Sequence, residues 1–321
     1  MKIAPLEFEK PIIELEEQLA ELLKKSSGQN LNVDREAAAM QAKIETLRTN
    51  IYRNLTAWQR IQIARHPQRP YMLDYVEKCC TDYIELHGDR HIGDDAAMPG
   101  GFATIGGHRV VILGHQKGRD TKENLKRNFG CAHPEGYRKA LRLMRMAEKF
   151  KLPVISLIDT PGAYPGIQAE ERNIAESIAF NLREMMTLRV PVVAAIIGEG
   201  GSGGALGIGV ANRVLMMENA YYSVISPEGC AAILWKDRKF APDAAEALKI
   251  TASDLHKFGI VDAIIPEPAG GAHTAPDKAA ESLKAALITE LESLAPLTPE
   301  KLRAARYSKF RKFGEFTEQA A

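Results

Sequence analysis

A glycine-rich segment directly after an apolar run is the strongest chemical signal in this sequence. The run Val190–Ile197 is typical of a buried strand, and five glycines fall within the following segment, Gly198–Gly204. A strand that ends in a glycine turn and the start of a helix exposes backbone N–H groups, which can bind a phosphate or stabilise an oxyanion. The same pattern also fits a structural turn in which a helix crosses a strand closely.

Two further catalytic patterns overlap this segment. The spacing G-x-G-x-x-G that begins at Gly198 matches the dinucleotide-binding fingerprint, with Glu218 at the place of a ribose-binding acid. The length of the following helix argues against this match, because only about eight residues after Gly203 can be helical. The spacing G-x-S-x-G around Ser202 matches the nucleophile elbow of a serine hydrolase. Acid and base candidates for such a hydrolase follow downstream and are Asp243, Asp254, His256 and His273.

A second glycine loop follows another predicted strand, Pro153–Ile158. It reads Asp159-Thr160-Pro161-Gly162-Ala163-Tyr164-Pro165-Gly166 and precedes a helical pattern. Because the carboxyl ends of neighbouring parallel strands meet at one edge of a sheet, we expect both loops to border one crevice. Neither a dinucleotide site nor a hydrolase elbow requires this Pro-Gly pair, so the two loops together favour a site with a developing oxyanion and a flat ligand. A pair of ordinary Pro-Gly turns is the structural alternative.

Alternating helices and short apolar strands must position the two loops. From Glu135 onward the pattern switches repeatedly between helix and strand, which predicts an α/β fold with a sheet covered on both faces. The Gly106-Gly107 pair between two apolar runs predicts a β-hairpin over Phe102–Leu113. Apolar periodicity predicts helices over Tyr71–Leu86 and Ala169–Thr187.

Amphipathic helices dominate both ends of the chain. Phe8–Lys25 and Asp34–Leu55 predict an αα-hairpin, broken at Ser26–Asn30, whose apolar seam needs the body of the protein or another chain to cover it. Near the other end, Lys301–Lys312 predicts an amphipathic terminal helix, with contact to RNA or to a partner as the alternative. A locally basic stretch, diluted by Asp120 and Glu123, fits either an anion-facing loop or a solvated face; its members are His115, Lys117, Arg119, Lys122, Lys126 and Arg127.

Composition excludes several classes of protein. The chain has 321 residues, with 42 Lys and Arg against 41 Asp and Glu, and the net charge of +1 gives no footprint for nonspecific nucleic-acid binding. An apolar fraction of 45% is too high for a disordered chain, and no apolar run approaches the roughly 18–20 residues of a membrane span. The N-terminal residues lack the apolar core of a secretory signal, so we expect a cytoplasmic protein without membrane contact. The four cysteines form no CxxC pair, which predicts reduced thiols and no metal site.

The two glycine loops, together with three further blocks, resemble one protein family. The blocks are His115–Asp120, Pro134–Ala140 and Ser223–Cys230. In these segments the chain is similar to the alpha subunit of bacterial acetyl-CoA carboxylase carboxyltransferase, and the resemblance extends from the N-terminal helices to the region of Pro268. It implies a crotonase-like (ClpP/crotonase) fold, an α/β superhelix of ββα units with an N-terminal helical extension. We therefore predict a helical, partner-packing hairpin over residues 1–56, a carboxyltransferase domain over 57–268, and a linker, C-terminal helix and basic tail over 269–321.

The resemblance also implies a reaction and its partners. The family transfers the carboxyl group of carboxybiotin, carried by the biotin carboxyl carrier protein, to acetyl-CoA and forms malonyl-CoA for fatty acid synthesis. It works as an α2β2 assembly within a larger complex that includes biotin carboxylase. The beta subunit carries a zinc ribbon and most of the coenzyme A site, so we expect zinc only in that partner. A scaffold that only binds its partner is the non-enzymatic alternative.

Two oxyanions develop in this reaction, one on the ureido group of biotin and one on the acetyl enolate. The resemblance implies one backbone cradle from each subunit and no side-chain base. For this chain it implies Gly203 and Gly204 as the catalytic donors, serving biotin, with the neighbouring glycines of the loop as open alternatives. The residues expected to bind carboxybiotin or substrate are Gly162, Tyr164, Pro165, Gly166, Gly200, Gly201 and Ala205.

Overall fold

The computed structural model of the protein describes residues 5–29 and 33–314. Residues 1–4, 30–32 and 315–321 lie outside these ranges, and Asn30 of the predicted helix break is among them. Eight strands of the described chain form one mixed sheet. They are β1 (Cys80–Glu85), β2 (Gly100–Ile105), β3 (His108–Gly114), β4 (Val154–Thr160), β5 (Val192–Gly201), β6 (Arg213–Met217), β7 (Tyr221–Ser223) and β8 (Ala263–Ile265).

The sheet changes from antiparallel to parallel pairing at β3. β1, β2 and β3 pair antiparallel, and the predicted hairpin joins β2 to β3 through Gly106 and Gly107, whose φ angles of 55° and 83° suit a two-residue turn. β3, β4, β5, β6 and β8 continue in that order as parallel neighbours, and β7 pairs with the end of β5. Every residue of β4 and β5 is buried, so the prediction of a sheet covered on both faces is confirmed.

Helices of the described chain surround this sheet. They are α1 (Lys10–Gln29), α2 (Asp34–Arg53), α3 (Ala57–Ala64), α4 (Met72–Cys79), α5 (Thr121–Lys126), α6 (Pro134–Phe150), α7 (Ile167–Glu171), α8 (Ile174–Thr187), α9 (Ser202–Leu206), α10 (Pro227–Leu234), α11 (Ala241–Leu248), α12 (Ala252–Lys257), α13 (Pro276–Leu294) and α14 (Pro299–Arg311). Short 3₁₀ turns are present at Glu7–Glu9, Asn128–Gly130 and Arg238–Phe240.

The predicted helix over Tyr71–Leu86 is wrong in its second half. α4 ends at Cys79, and the chain continues as β1 because the backbone groups of that segment pair with β2. A strand partner later in the sequence therefore overrides the local helical periodicity.

Two other helix boundaries also differ from the prediction. Asn173 adopts the left-handed conformation, with φ of 64°, and divides the predicted helix Ala169–Thr187 into α7 and α8. In contrast, the predicted break at Ser26–Asn30 is wrong as far as Gln29, because α1 continues through that residue.

The terminal helices pack onto the body in two ways. α13 and α14 contribute Leu283 and Leu302 to the same apolar cluster as the sheet, so the predicted terminal helix forms part of the main core. α1 and α2 form the predicted αα-hairpin around a separate cluster that includes Ile12 and Ile44 and reaches the body at Ile63. Nowhere in residues 5–29 and 33–314 is a helix both long and apolar enough to cross a membrane.

Candidate active site

The carboxyl ends of β4 and β5 bring the two glycine loops into direct contact. β4 and β5 are neighbours in the parallel part of the sheet. A Cβ atom on Gly204 would lie 2.5 Å from the carbonyl carbon of Gly162, and one on Gly201 would overlap the carbonyl group of Pro161. Because only glycine permits so close an approach, both glycines are required by the packing, and the expected meeting of the two loops is confirmed.

The glycine segment turns sharply from strand into helix. β5 continues further than predicted, through Gly201, and α9 begins at Ser202 with φ of 50°, a conformation that L residues rarely adopt. The first N–H groups of a helix have no carbonyl partner inside the helix, so those of Gly203 and Gly204 are available to an acceptor. Gly204 and the following Ala205 are buried, whereas Gly203 is half-buried.

The Pro-Gly loop forms the neighbouring wall of this turn. The Thr160 hydroxyl donates to the Gly162 carbonyl at 2.7 Å and accepts from the Gly162 N–H at 3.1 Å, which fixes the start of the loop. The Tyr164 ring stacks on the His133 ring with the centroids 4.1 Å apart. The remaining predicted residues of the loop are the exposed Pro165 and the half-buried Gly166.

Two buried aromatic side chains lie next to the turn, and the sequence assigned neither of them a catalytic role. The Tyr137 hydroxyl donates to the Gly204 carbonyl at 3.3 Å, and the His115 ring lies 6.5 Å from the Tyr137 ring. His115 is fully buried, and neither ring nitrogen has a hydrogen-bond partner among the described residues. Burial, together with the nearby Lys117 charge, lowers the pKa of His115 to about 3, so the imidazole is neutral at physiological pH.

A buried network of charges joins the two loops. Lys117 Nζ donates to Asp159 Oδ1 at 2.6 Å and to Glu199 Oε1 at 2.9 Å. Glu199 also accepts from Arg65 at 2.8 Å and from the Tyr221 hydroxyl at 2.6 Å. Burial would raise the pKa of Glu199, but the charges of Lys117 and Arg65 hold it at about 2, so this carboxylate is ionised. Lys117 therefore faces carboxylates, and neither interpretation of the basic stretch holds for it.

An apolar cavity of about 400 Å³ opens beside the turn. Ser202 and Leu206 of α9 contribute to one wall, and Phe310 and Phe313 at the end of α14 contribute to another. The site thus combines backbone N–H donors with apolar space next to them, an arrangement typical of small-molecule sites.

The geometry does not support the serine hydrolase. Ser202 occupies a sharp strand-to-helix turn, as a nucleophile elbow does. However, none of the described histidines forms a hydrogen bond to it: His256 Nδ1 lies 3.1 Å from the Val261 carbonyl, and His273 Nε2 lies 3.2 Å from Glu9. Ser202 therefore lacks the base that such an enzyme needs.

The dinucleotide pattern is not supported either. The helix that follows the glycines, α9, has only five residues. Glu218 accepts a hydrogen bond from the Glu267 backbone at 3.2 Å, so it is engaged elsewhere in the fold. Within the described ranges, no group of three or more His, Cys, Asp or Glu side chains could hold a metal ion.

Comparison with known proteins decides between the remaining interpretations. Residues 5–314 match the family model described as acetyl co-enzyme A carboxylase carboxyltransferase-like. The chain belongs to this family. It is 57% identical to the acetyl-coenzyme A carboxylase carboxyl transferase subunit alpha of Thermus thermophilus, over 98% of this chain and 99% of the relative. A subunit of the same name from Synechococcus sp. is 53% identical, over 98% of this chain and 96% of the relative.

Solved structures share the fold at low sequence identity. A transcarboxylase 12S chain superposes with a TM-score of 0.58 at 21% identity, over 71% of this chain and 42% of that chain. A chain of a Pseudomonas malonate decarboxylase hetero-dimer superposes with a TM-score of 0.56 at 17% identity, over 68% of this chain and 89% of that chain. The fold is therefore crotonase-like, as the resemblance implied.

Proposed function

We propose that this chain acts as the alpha subunit of an acetyl-CoA carboxylase carboxyltransferase and provides one of the two backbone cradles of the reaction. The donors are the N–H groups of Gly203 and Gly204, and the oxyanion that they stabilise is the ureido oxygen of biotin. The observation that carries this proposal is the contact between Gly204 and Gly162, because it holds the two N–H groups at the point where both glycine loops meet.

Backbone donors suit this task because they are fixed before the reaction begins. A preorganised N–H group does not have to reorient as negative charge develops, and losing one such donor typically costs about 10²–10³ in rate. The buried side chains near the turn are unsuited to act as a base: Lys117, Asp159 and Glu199 are engaged with one another, and His115 is fully buried. Carboxybiotin supplies the carboxyl group and is a substrate delivered by another protein.

The Pro-Gly loop is proposed to form the wall against which the substrate lies. Tyr164, held by its stack on His133, would contact the flat biotin ring. At Gly162 nothing lies within 4 Å of the Cβ position, so the backbone there is open to close approach by a ligand. The full proposed set of carboxybiotin- or substrate-binding residues is Gly162, Tyr164, Pro165, Gly166, Gly200, Gly201 and Ala205.

The proposed partners follow from the family. They are a beta subunit in an α2β2 assembly, the biotin carboxyl carrier protein and biotin carboxylase. Acetyl-CoA is the proposed second substrate, and zinc is expected only in the beta subunit. The proposed location is the cytoplasm. Residues 1–56 are proposed to pack against a partner, which agrees with the exposure of Leu23, 48% accessible, on the helical hairpin. We retain 57–268 as the carboxyltransferase domain and 269–321 as the C-terminal segment.

Reconstitution tests this function. The purified chain is mixed with the matching beta subunit, the carboxylated carrier protein and acetyl-CoA, and malonyl-CoA is measured by mass spectrometry. We expect malonyl-CoA only when both subunits are present, and its loss when Gly204 is replaced by leucine. If both subunits fold and associate but form no malonyl-CoA, the proposed function is wrong.

A further inference from the structure

The pairing of β4 with β5 contains an irregularity directly before the cradle. Ile158 pairs with Ile196 and Thr160 pairs with Gly200, so β5 advances by four residues where β4 advances by two. The extra residues of β5 form a bulge that includes Gly198 and Glu199. A bulge bends a strand and redirects the residues that follow it. The direction in which β5 delivers the glycine turn therefore depends on how this bulge is held.

The Asp159 side chain fills the bulge from the neighbouring strand. Its Oδ1 atom accepts the Glu199 N–H at 2.9 Å, which satisfies a backbone donor that the irregular pairing leaves without a strand partner. A Cβ atom on Gly198 would lie 2.5 Å from the same Oδ1 atom, so glycine is needed there to make room for the carboxylate. Asp159 is 1% exposed, and its Oδ2 atom has no hydrogen-bond partner among the described residues.

Lys117 provides the positive charge that allows two carboxylates to share this buried place. Its Nζ atom lies 2.6 Å from Asp159 Oδ1 and 2.9 Å from Glu199 Oε1. Burial alone would lower the pKa of Lys117, but the two carboxylates raise it, so the ammonium group stays charged. Without that charge the Asp159 carboxylate would face Glu199, which keeps Arg65 as a partner, with no cation of its own in a site of low dielectric constant, which is strongly unfavourable. The bulge therefore needs Lys117 to keep its shape.

We propose that Lys117 is a positioning residue for the carboxyltransferase reaction: by bridging Asp159 and Glu199 it fixes the bulge of β5 and thereby aims the N–H groups of Gly203 and Gly204. The inference rests on the proposed function of those N–H groups. Lys117 itself is buried, and its ammonium group bonds to the two carboxylates. The sequence places the lysine 42 residues before Asp159 and 82 before Glu199, so only the fold brings the three together.

The test replaces Lys117 by methionine in the full chain, reconstituted with the beta subunit. Methionine keeps the length of the stem and removes the charge. A misplacement of about 1 Å costs about 10² in rate, so we expect kcat for malonyl-CoA formation to fall about 10²-fold. The KM for acetyl-CoA should change by less than about threefold, because the family resemblance assigns most of the coenzyme A site to the beta subunit. Lys139→Met is the matched control, because Lys139 is another buried lysine and pairs with Asp94 at 2.5 Å.

A double variant distinguishes positioning from a general loss of stability. In Lys117→Met/Asp159→Asn the side-chain amide at position 159 replaces a carboxylate. Its oxygen can still accept the Glu199 N–H, and its nitrogen can donate to the Glu199 carboxylate. The repulsion between the carboxylates at positions 159 and 199 is thereby removed. We expect kcat to recover at least tenfold relative to Lys117→Met, in keeping with removal of a buried like-charge pair. If Lys117→Met does not fold, the double variant is compared directly with wild type, and a kcat within about tenfold of wild type is expected.

Amide hydrogen exchange provides a readout that does not depend on turnover. Exchange at Glu199–Gly204 should accelerate in Lys117→Met and return toward wild type in the double variant, with no change there in Lys139→Met. The inference is overturned if Lys117→Met keeps wild-type kcat, or if its exchange at these residues is unchanged. It is also overturned if the double variant is no more active than the single one. If wild type itself forms no malonyl-CoA, the proposed function fails instead, while the exchange result still decides whether Lys117 holds the bulge.

Discussion

Replacing Gly204 by alanine probes the contact on which the proposed cradle depends. The new Cβ atom would lie 2.5 Å from the carbonyl carbon of Gly162 and 2.6 Å from the backbone nitrogen of Ala163. Ordinary contact begins near 3.4 Å, so the start of α9 or the Thr160–Gly162 turn has to move by roughly 1 Å, and both are packed backbone that cannot rotate away. A misplacement of this size costs about 10²-fold in rate, and complete loss of a donor costs about 10²–10³. We therefore expect kcat for malonyl-CoA formation to fall by about 10²–10³.

The assay is steady-state malonyl-CoA formation by the reconstituted enzyme, with folding checked by circular dichroism and assembly by size-exclusion chromatography. Gly203→Ala is the informative comparison, because the nearest atom to its Cβ position, Ile178 Cδ1, is 3.7 Å away. It should retain far more activity than Gly204→Ala. Gly93→Ala controls for the loss of a loop glycine, since nothing lies within 4 Å of that Cβ position. A folded and assembled Gly204→Ala enzyme with more than about a third of wild-type kcat would show that catalysis does not depend on this close contact.

Three further predictions concern the support of the site and the rejected alternative. Arg306 is fully buried and donates hydrogen bonds to three backbone carbonyls and to Asn212. Arg306→Met should therefore lower the free energy of unfolding, measured by chemical denaturation, by at least about 3 kcal/mol. The control Arg303→Met, at an exposed position, should change this free energy little. Ser202→Gly should keep wild-type carboxyltransferase activity, because the φ of 50° at this position suits glycine. Loss of activity in a folded Ser202→Gly variant would instead indicate a mechanism that depends on the Ser202 hydroxyl. The folded-state pKa of His115, about 3, lies below the unfolded value, so its burial stabilises the fold above about pH 6.5 and this stabilisation is lost as pH falls toward 3. The free energy of unfolding of wild type, measured relative to that of His115→Leu, should therefore fall by about 1.6 kcal/mol from pH 6.5 to pH 5, and a pH-independent difference would show that His115 does not titrate in this way.

Features that depend on a few adjacent residues were predictable from the sequence. Gly106 and Gly107 encode their hairpin because both adopt positive φ, which glycine does at low cost. The Thr251 side chain caps α12, and Gly259 adopts φ of 70° directly after it, as local helix signals require. The two glycine loops were located for the same reason, since each follows a continuous apolar strand.

Features that depend on distant partners were not predictable. The sequence of β1 has a helical pattern, and the segment becomes a strand only because its backbone pairs with that of β2. Lys117 was interpreted as a solvent- or anion-facing cation, since nothing near it in sequence indicates the carboxylates of Asp159 and Glu199. His115 likewise gives no local signal of its burial beside Tyr137. The backbone chemistry of the site was therefore evident from spacing, whereas the side chains that hold it required the fold.

The most direct measurement removes one backbone N–H group without changing any side chain. Translation with glycolic acid at position 204 replaces the amide before Gly204 by an ester, which deletes the N–H donor and preserves the shape of the chain. We expect a fall in kcat for malonyl-CoA formation of about 10²–10³, with assembly unchanged and no such fall for the same ester at exposed Gly314. An assembled Gly204 ester enzyme with wild-type kcat would contradict the assignment of this N–H group to the oxyanion cradle.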